Sequence, residues 1–458
     1  MASAAEEDNG SLVKQGEVVI LVASDGCRYF AEAAGNKDLR VGKNRVNLGA
    51  LVGTPYGSVF EIGKRKLTYL PEAEHLTRTE ASSASLAEDA AHAADNRDLT
   101  DSSQHQKLSS DDIQELRLSG ASGQEIINAL MENSDSWESK TVFSQQKWLA
   151  RKEQKYAPRL RVVRTDAPAV CQSYFEKHRE KCCNLRPDSL AQILAFANIH
   201  AGAKTMVFDT CMGVVLGAVL ERLGGRGRVL APYAGTHPSC DATKQFNFSS
   251  EVSKVMVPFH TTELGRVEET SGEEVPDESE AAQASRAKVL LECIPEPLAR
   301  KLATMKSHDA RESHLSKRNE RIIRQSQKPQ PGTVRHWIRS QSDSLIIATH
   351  FQPTATLMKF WPYLAPAAPF VVFCEFLEPL VQCFRELQRK QVACKLQLSD
   401  TWTREFQVLP GRTHPSMHMS SSSGFLLTGV KVPKRADGWK FVEKVKEGKK
   451  PRADAIGR

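Results

Sequence analysis

None of the ten cysteines forms a C-x-x-C pair, and Cys182 and Cys183 are adjacent. That spacing suits neither a tetrahedral zinc site nor a disulfide framework, so reduced thiols in an intracellular protein are expected. Long apolar runs are missing as well. The longest, around Phe370 to Phe376, is far too short to span a bilayer, and Met1 to Asn9 is acidic and Ala-rich rather than signal-like. Neither secretion nor a membrane anchor is expected. No P-loop or nucleophile-elbow pattern occurs, which removes the common NTPase and hydrolase readings. His414-x-x-x-His418 has a metal-like spacing, but Pro415 prevents the helix that would align both rings. Gly224-Gly225-Arg226-Gly227 follows a helical stretch and precedes a strand, so it reads as a C-cap and turn rather than a phosphate cradle.

What is present is a chain of 458 residues, 40% hydrophobic and 26% charged, enough for two or three folded units. Residues 12–70 alternate apolar and polar positions, as in Glu17 to Val22, between glycines 16, 26, 35, 42, 53 and 57. Short strands joined by tight turns imply a small antiparallel barrel or sandwich. Residues 71–108 are rich in Ala, Ser, Glu, Asp and His, too polar to repay their ordering, and read as a flexible linker. Ser109 and Ser122-Gly123-Gln124-Glu125 then open two short helices, and a third runs from Lys140 to Tyr156.

From Ser189 helix and strand alternate: helix to Asn198, strand Thr205 to Phe208, helix Val214 to Leu223, strand Arg228 to Leu230. A parallel sheet with crossover helices needs that order. Residues 262–335 interrupt it with an acidic run followed by a basic one, read as a flexible charged insertion. The sheet resumes with strands at Ser344, Phe370, Cys394 and Gly424 and helices at Thr354 and Pro379.

This is the plan of the S-adenosylmethionine-dependent methyltransferases, yet three places where the cofactor makes demands are altered. The turn after the opening strand reads Asp209-Thr210-Cys211-Met212-Gly213-Val214-Val215, with side chains where glycine would leave space. The second strand ends in Ala231-Pro232-Tyr233 instead of a carboxylate for the ribose hydroxyls. The strand Ser344 to Thr349 delivers His350-Phe351-Gln352-Pro353 instead of an acid or an Asn-Pro group near the target base. The expected fold class is therefore α/β: a small N-terminal β-barrel-like domain plus a C-terminal Rossmann-like methyltransferase-type domain with a degenerate cofactor pocket.

Longer stretches carry a residue-level resemblance. Leu185 to Gln192, Asp209 to Gly213 with Leu216-Gly217-Ala218 and Glu221 to Gly225, and Gln407 to Pro415 closely resemble the non-catalytic subunit of the eukaryotic tRNA (adenine-N1)-methyltransferase acting on tRNA position 58. Tyr56 to Glu61, Asp95-Asn96-Arg97, and Phe373-Cys374 with Glu378-Pro379-Leu380 resemble the same family. The resemblance implies a tRNA-binding chain with no cofactor of its own. It also implies a paralogous catalytic subunit that binds S-adenosylmethionine, an α2β2 heterotetramer and a nuclear location.

Basic residues are unevenly spread. From Lys147 to Arg164 they are Lys147, Arg151, Lys152, Lys155, Arg159, Arg161 and Arg164, against the single acid Glu153, with Trp148 and Tyr156 interleaved. Phosphate neutralisation with some stacking suits that mixture, and in the resembling family this segment is a lysine-rich tRNA contact. Lys177, His178, Arg179 and Lys181, with Asn184 and Arg186, look like a second RNA-contacting segment. Arg389, Lys390 and Lys395 are a third candidate, and Asn96 and Arg97 complete the set.

The expected organisation is thus a β-barrel-like domain (12–70), linker (71–108), helical RNA-binding segment (109–158), methyltransferase-like domain (159–261 and 336–433) around the insertion (262–335), and basic tail (434–458). The tail reads equally as a nuclear-localisation signal or a solubilising segment. Two rivals stay open on the residues alone: an active methyltransferase with an unusual pocket, and a free-standing RNA-binding protein with a vestigial domain.

Overall fold

The computed structural model describes residues 12–71 (save 43, 64 and 65), 106–267 (save 139 and 141), 279–292, 295–297, 304, 307–408, 413–417, 419 and 423–433. Two sheets with separate cores organise them.

The first sheet is antiparallel. Its strands are β1 (Val18–Ala23), β2 (Arg28–Glu32), β5 (Val59–Ile62), β6 (Leu67–Leu70) and β7 (Arg159–Val163), in the order β2-β1-β7-β5-β6; β3 (Asp38–Val41) and β4 (Asn44–Asn47) form a hairpin beside them. Alternation decides which side each residue faces. Val19, Leu21, Phe60, Ile62, Leu160 and Val162 enter the sheet's own core. Ile20, Val22 and Val163 face the other way, into the core of the second unit. Strand β7 was expected to open the methyltransferase-like domain. It instead fills the centre of the first sheet, between β1 and β5. A five-residue strand, Arg159-Leu160-Arg161-Val162-Val163, carries no record of its partners, which lie about 100 residues away in β5 and about 140 away in β1.

Three helices precede β7: α1 (Ser110–Leu118), α2 (Gly123–Glu132) and α3 (Val142–Tyr156). Ser109 and Ser122 close capping boxes with Asp112 and Glu125, satisfying backbone N–H groups that a helix start leaves without partners. A Cβ at Gly123 would lie 2.5 Å from the Tyr156 carbonyl oxygen, so glycine lets α2 dock tightly on the end of α3.

Helices α4 (Ala167–Lys177) and α5 (Pro187–Phe196) lead into the second sheet. Its strands, β8 (Lys204–Asp209), β9 (Arg228–Tyr233), β10 (Met256–His260), β11 (Ser344–Ala348), β12 (Pro369–Cys374), β13 (Ala393–Asp400) and β16 (Phe425–Lys431), lie in the order β10-β9-β8-β11-β12-β16-β13. Only β16 runs antiparallel to its neighbours, and β8 and β11 flank the point where chain order reverses. The crossover helix α6 (Val214–Leu223) is buried along most of its length, ending at Gly224 in the left-handed conformation. A two-strand ribbon, β14 (Phe406–Gln407) with β15 (His414–Pro415), stands apart.

The insertion also differs from expectation. Helix α7 (Ser250–Lys254) precedes β10 and α8 (Glu263–Arg266) follows it; then α9 (Glu280–Glu292), α10 (His308–Ser326) and α11 (Pro331–Arg339) lead to β11. Arg286 donates to the Ser326 carbonyl at 3.3 Å and Arg318 to that of Leu290 at 3.1 Å, tying α9 to α10. Ala, Arg, Lys and Glu favour helix individually, and these contacts add what the polar composition lacked.

Candidate nucleic-acid interface and the closed cofactor edge

Asp209 ends β8 fully enclosed. Its Oδ1 accepts from the Cys211 backbone N–H at 2.6 Å and its Oδ2 from that of Leu216 at 2.9 Å. Burial pushes the carboxyl up to about 6, against the lowering effect of those hydrogen bonds. The group therefore staples the turn to the start of α6.

Cys211 and Val215, expected to obstruct a ligand, point into the core and are fully buried. The obstruction comes from elsewhere. Met212 and Gly213 both take the left-handed conformation, and a Cβ on Gly213 would lie 2.7 Å from the Cys240 Cα. A Cβ on Gly217 would lie 2.4 Å from the Phe246 ring. The segment leading to Phe246 has thus settled onto the turn, a long-range contact the sequence did not reveal.

Strand β9 runs through Tyr233, two residues past Ala231, and the residues that follow, Ala234 and Gly235, supply no carboxylate. Between β8, β9 and Ser239–Cys240 remains a cavity of about 10 Å³ lined by Val207, Asp209, Leu216 and Pro232 among others. That is room for about one water, whereas a small-molecule site takes roughly 300–1,000 Å³. Among the described residues, S-adenosylmethionine, which this sheet order implies, does not fit that cavity. At the end of β11 the Thr210 hydroxyl lies 3.0 Å from His350 Nδ1 and accepts from the His350 backbone N–H at 3.2 Å. Phe351 stacks on Phe208 with centroids 5.9 Å apart. These contacts tie two strand ends together across the crevice.

The α3 surface is built differently. Lys147, Arg151 and Lys155 are exposed and Lys152 half-buried, and none makes an ion pair among the described residues. Trp148 packs against Trp137 at 5.0 Å and carries Lys152 Nζ at 5.1 Å from its centroid. Tyr156 is ringed by Lys155 at 5.0 Å, Arg117 at 5.1 Å and Lys152 at 5.9 Å. Aromatic faces hold these cations in place while leaving their charge unneutralised. Arg117 was missed from sequence. Its only signal was a basic residue in the last turn of α1.

In the second segment, Lys177 lies 5.1 Å from the Tyr29 centroid and Arg179 4.4 Å from that of Phe175. Burial lowers the Lys177 pKa from its ordinary value. His178, Arg179 and Lys181 are exposed. Cys183 and Asn184 are consecutive left-handed residues, and Asn184 donates to Glu375. Arg186 requires correction. It is buried, with Nη2 2.6 Å from Asp188 Oδ2 and Nε 3.0 Å from Oδ1, and cannot meet a phosphate. Burial alone would raise the Asp188 pKa, but hydrogen bonds from Arg186, Thr403 and Thr401 outweigh it and hold the carboxyl below the usual range.

The third segment holds its cations in different surroundings. Arg389 and Lys390 pair with Glu386 at 2.8 and 3.1 Å, and Lys395 is an exposed left-handed residue where the register between β13 and β16 shifts. Asn96, Arg97 and the basic tail lie outside the described residues.

Sheet order and crevice together define a protein of the methyltransferase fold whose cofactor edge is closed by its own side chains. The Gcd10p family model matches residues 12–290. The chain is 32% identical over 432 residues, 93% of its length and 80% of the relative's, to the tRNA (adenine(58)-N(1))-methyltransferase non-catalytic subunit trm6 of Dictyostelium discoideum. It is 29% identical to the mouse non-catalytic subunit TRM6, covering 94% of this chain and 92% of that one. Among solved structures, the tRNA (m1A58) methyltransferase TrmI of Aquifex aeolicus is a distant likeness: 11% identity, TM-score 0.43, covering 92% of this chain and 99% of that one. The chain belongs to the Gcd10p family.

Proposed function

We propose that this chain is the tRNA-holding, non-catalytic subunit of a tRNA (adenine-58-N1)-methyltransferase, the activity named for its relatives. The observation that carries this reading is the contrast between an intact methyltransferase sheet and a crevice of about 10 Å³ at its cofactor edge. The sheet then serves as scaffold, α3 and its neighbours meet phosphates, and methyl transfer falls to a paralogous catalytic subunit that binds S-adenosylmethionine. Resemblance to the family supports an α2β2 assembly. The basic tail Lys434 to Arg458 supports residence in the nucleus.

Methylation of tRNA by this chain alone, by the catalytic subunit alone and by the two together tests the reading. Activity only in the mixture is expected. Methylation by this chain alone, or heat on titrating it with S-adenosylmethionine, would overturn it.

A further inference from the structure

The two basic segments of the N-terminal half are separate in sequence, and β7 lies between them. Leu160 and Val162 face the first sheet's core, so Arg159 and Arg161 face the other side, with Val163. Pairing sets Arg161 opposite Val22 on β1 and Val59 on β5, and Val22 opposite Arg28 on β2. The row therefore reads Arg28, Val22, Arg161, Val59. Its far end meets α4, where Glu176 accepts from Arg28 at 3.1 Å, one residue before Lys177. Arg28 is neutralised there; Arg161 is exposed and enters no ion pair among the described residues.

Arg159 is the more telling residue. Its Nε and one Nη are shielded from solvent and have no hydrogen-bond partner among the described residues, although Glu61 is its cross-strand neighbour. A guanidinium partly withdrawn from water without acceptors is held at a cost, so a small side-chain shift that turns it toward an anion at the surface is favoured. Tyr156, three residues earlier, is fixed by the close docking of α2, so α3 and β7 meet at a set geometry.

The geometry points to Arg159 and Arg161 as phosphate-binding residues that join α3 to the Lys177–Lys181 segment in one RNA-backbone track across the first sheet. Two same-side residues of a strand stand about 6.6 Å apart, comparable with successive phosphates of an RNA strand. This inference rests on the tRNA-holding reading above and adds the path the RNA takes.

The test is tRNA binding by the assembled complex with its catalytic subunit, titrated between about 50 and 200 mM salt. Arg161→Ala and Arg159→Gln should each weaken binding about three- to tenfold. The double variant should flatten the plot of log affinity against log salt by one to two units, about 0.7–0.9 for each phosphate no longer neutralised. If Arg159→Gln lowers the melting temperature, the exposed Arg161→Ala decides alone. An unchanged slope in these variants, with a flattened one in Lys152→Glu/Lys155→Glu, would sink the track and leave the tRNA-holding reading standing. Unchanged binding in all of them would sink both.

Discussion

At the crevice end of the second sheet, charge is turned inward and space is filled. Along α3 and β7, charge is turned outward, without counter-ions among the described residues. Asp209, the acid nearest a methyltransferase cofactor's place, binds backbone N–H groups of its own turn. Lys147, Arg151 and Lys155 lie on an open helix face with aromatic rings as neighbours. A fold can thus lose its chemistry by local collapse while an unconnected surface keeps an electrostatic role, because the two share a scaffold and no side chains.

The contrast can be broken first at Arg186, basic by sequence and structural by position. Arg186→Ala strands a half-buried carboxylate and should cost about 3 kcal/mol in denaturant unfolding, with no change in the salt slope of tRNA binding. Lys152→Glu/Lys155→Glu should show the reverse pattern. Affinity for tRNA should fall about a hundredfold in a binding titration, the slope should flatten, and subunit assembly on size exclusion should persist.

Gly217→Ala drives a methyl into the Phe246 ring and should cost about 2 kcal/mol by thermal unfolding, a strain that Phe246→Ala relieves. Asp209 gives a pH signature. With a folded pKa of about 6 against roughly 3.9 unfolded, the folded state holds more protons in that window. Its contribution therefore falls as pH rises from about 4 to 6, by an amount on the order of 3 kcal/mol. Asp188, shifted oppositely, loses its contribution as pH falls, so the difference between wild type and Asp209→Asn isolates the former. Smallest of all, Arg389→Ala removes a solvent-exposed pair with Glu386 and should change neither the melting curve nor tRNA affinity measurably.

Local signals were legible from sequence wherever the cause is local. Ser109, Ser122 and Gly224 marked helix ends because capping acts within four residues, and α6 shows in the apolar run Val214 to Leu220 that precedes Glu221 and Arg222. What escaped depends on distant partners. The pairing of Arg161 with Val22 and Val59, the Phe246 ring on Gly217, and the burial of Arg186 beside Thr401 each bring together segments the sequence keeps far apart. Degeneracy of the cofactor edge was visible in Pro232 and His350. Its physical agent, the segment over the turn, was not.

The place of β7 also sets a schedule for synthesis. Among the described residues, hairpins β1–β2 and β5–β6 share no ladder with each other; in the sheet they are joined by Arg159–Val163. A nascent chain that has passed residue 70 therefore carries two ribbons with bare inner edges until residue 159 emerges, open to pairing with other chains. The last strand to emerge is a keystone, so the helices that present the cations are already made when the sheet beneath them closes.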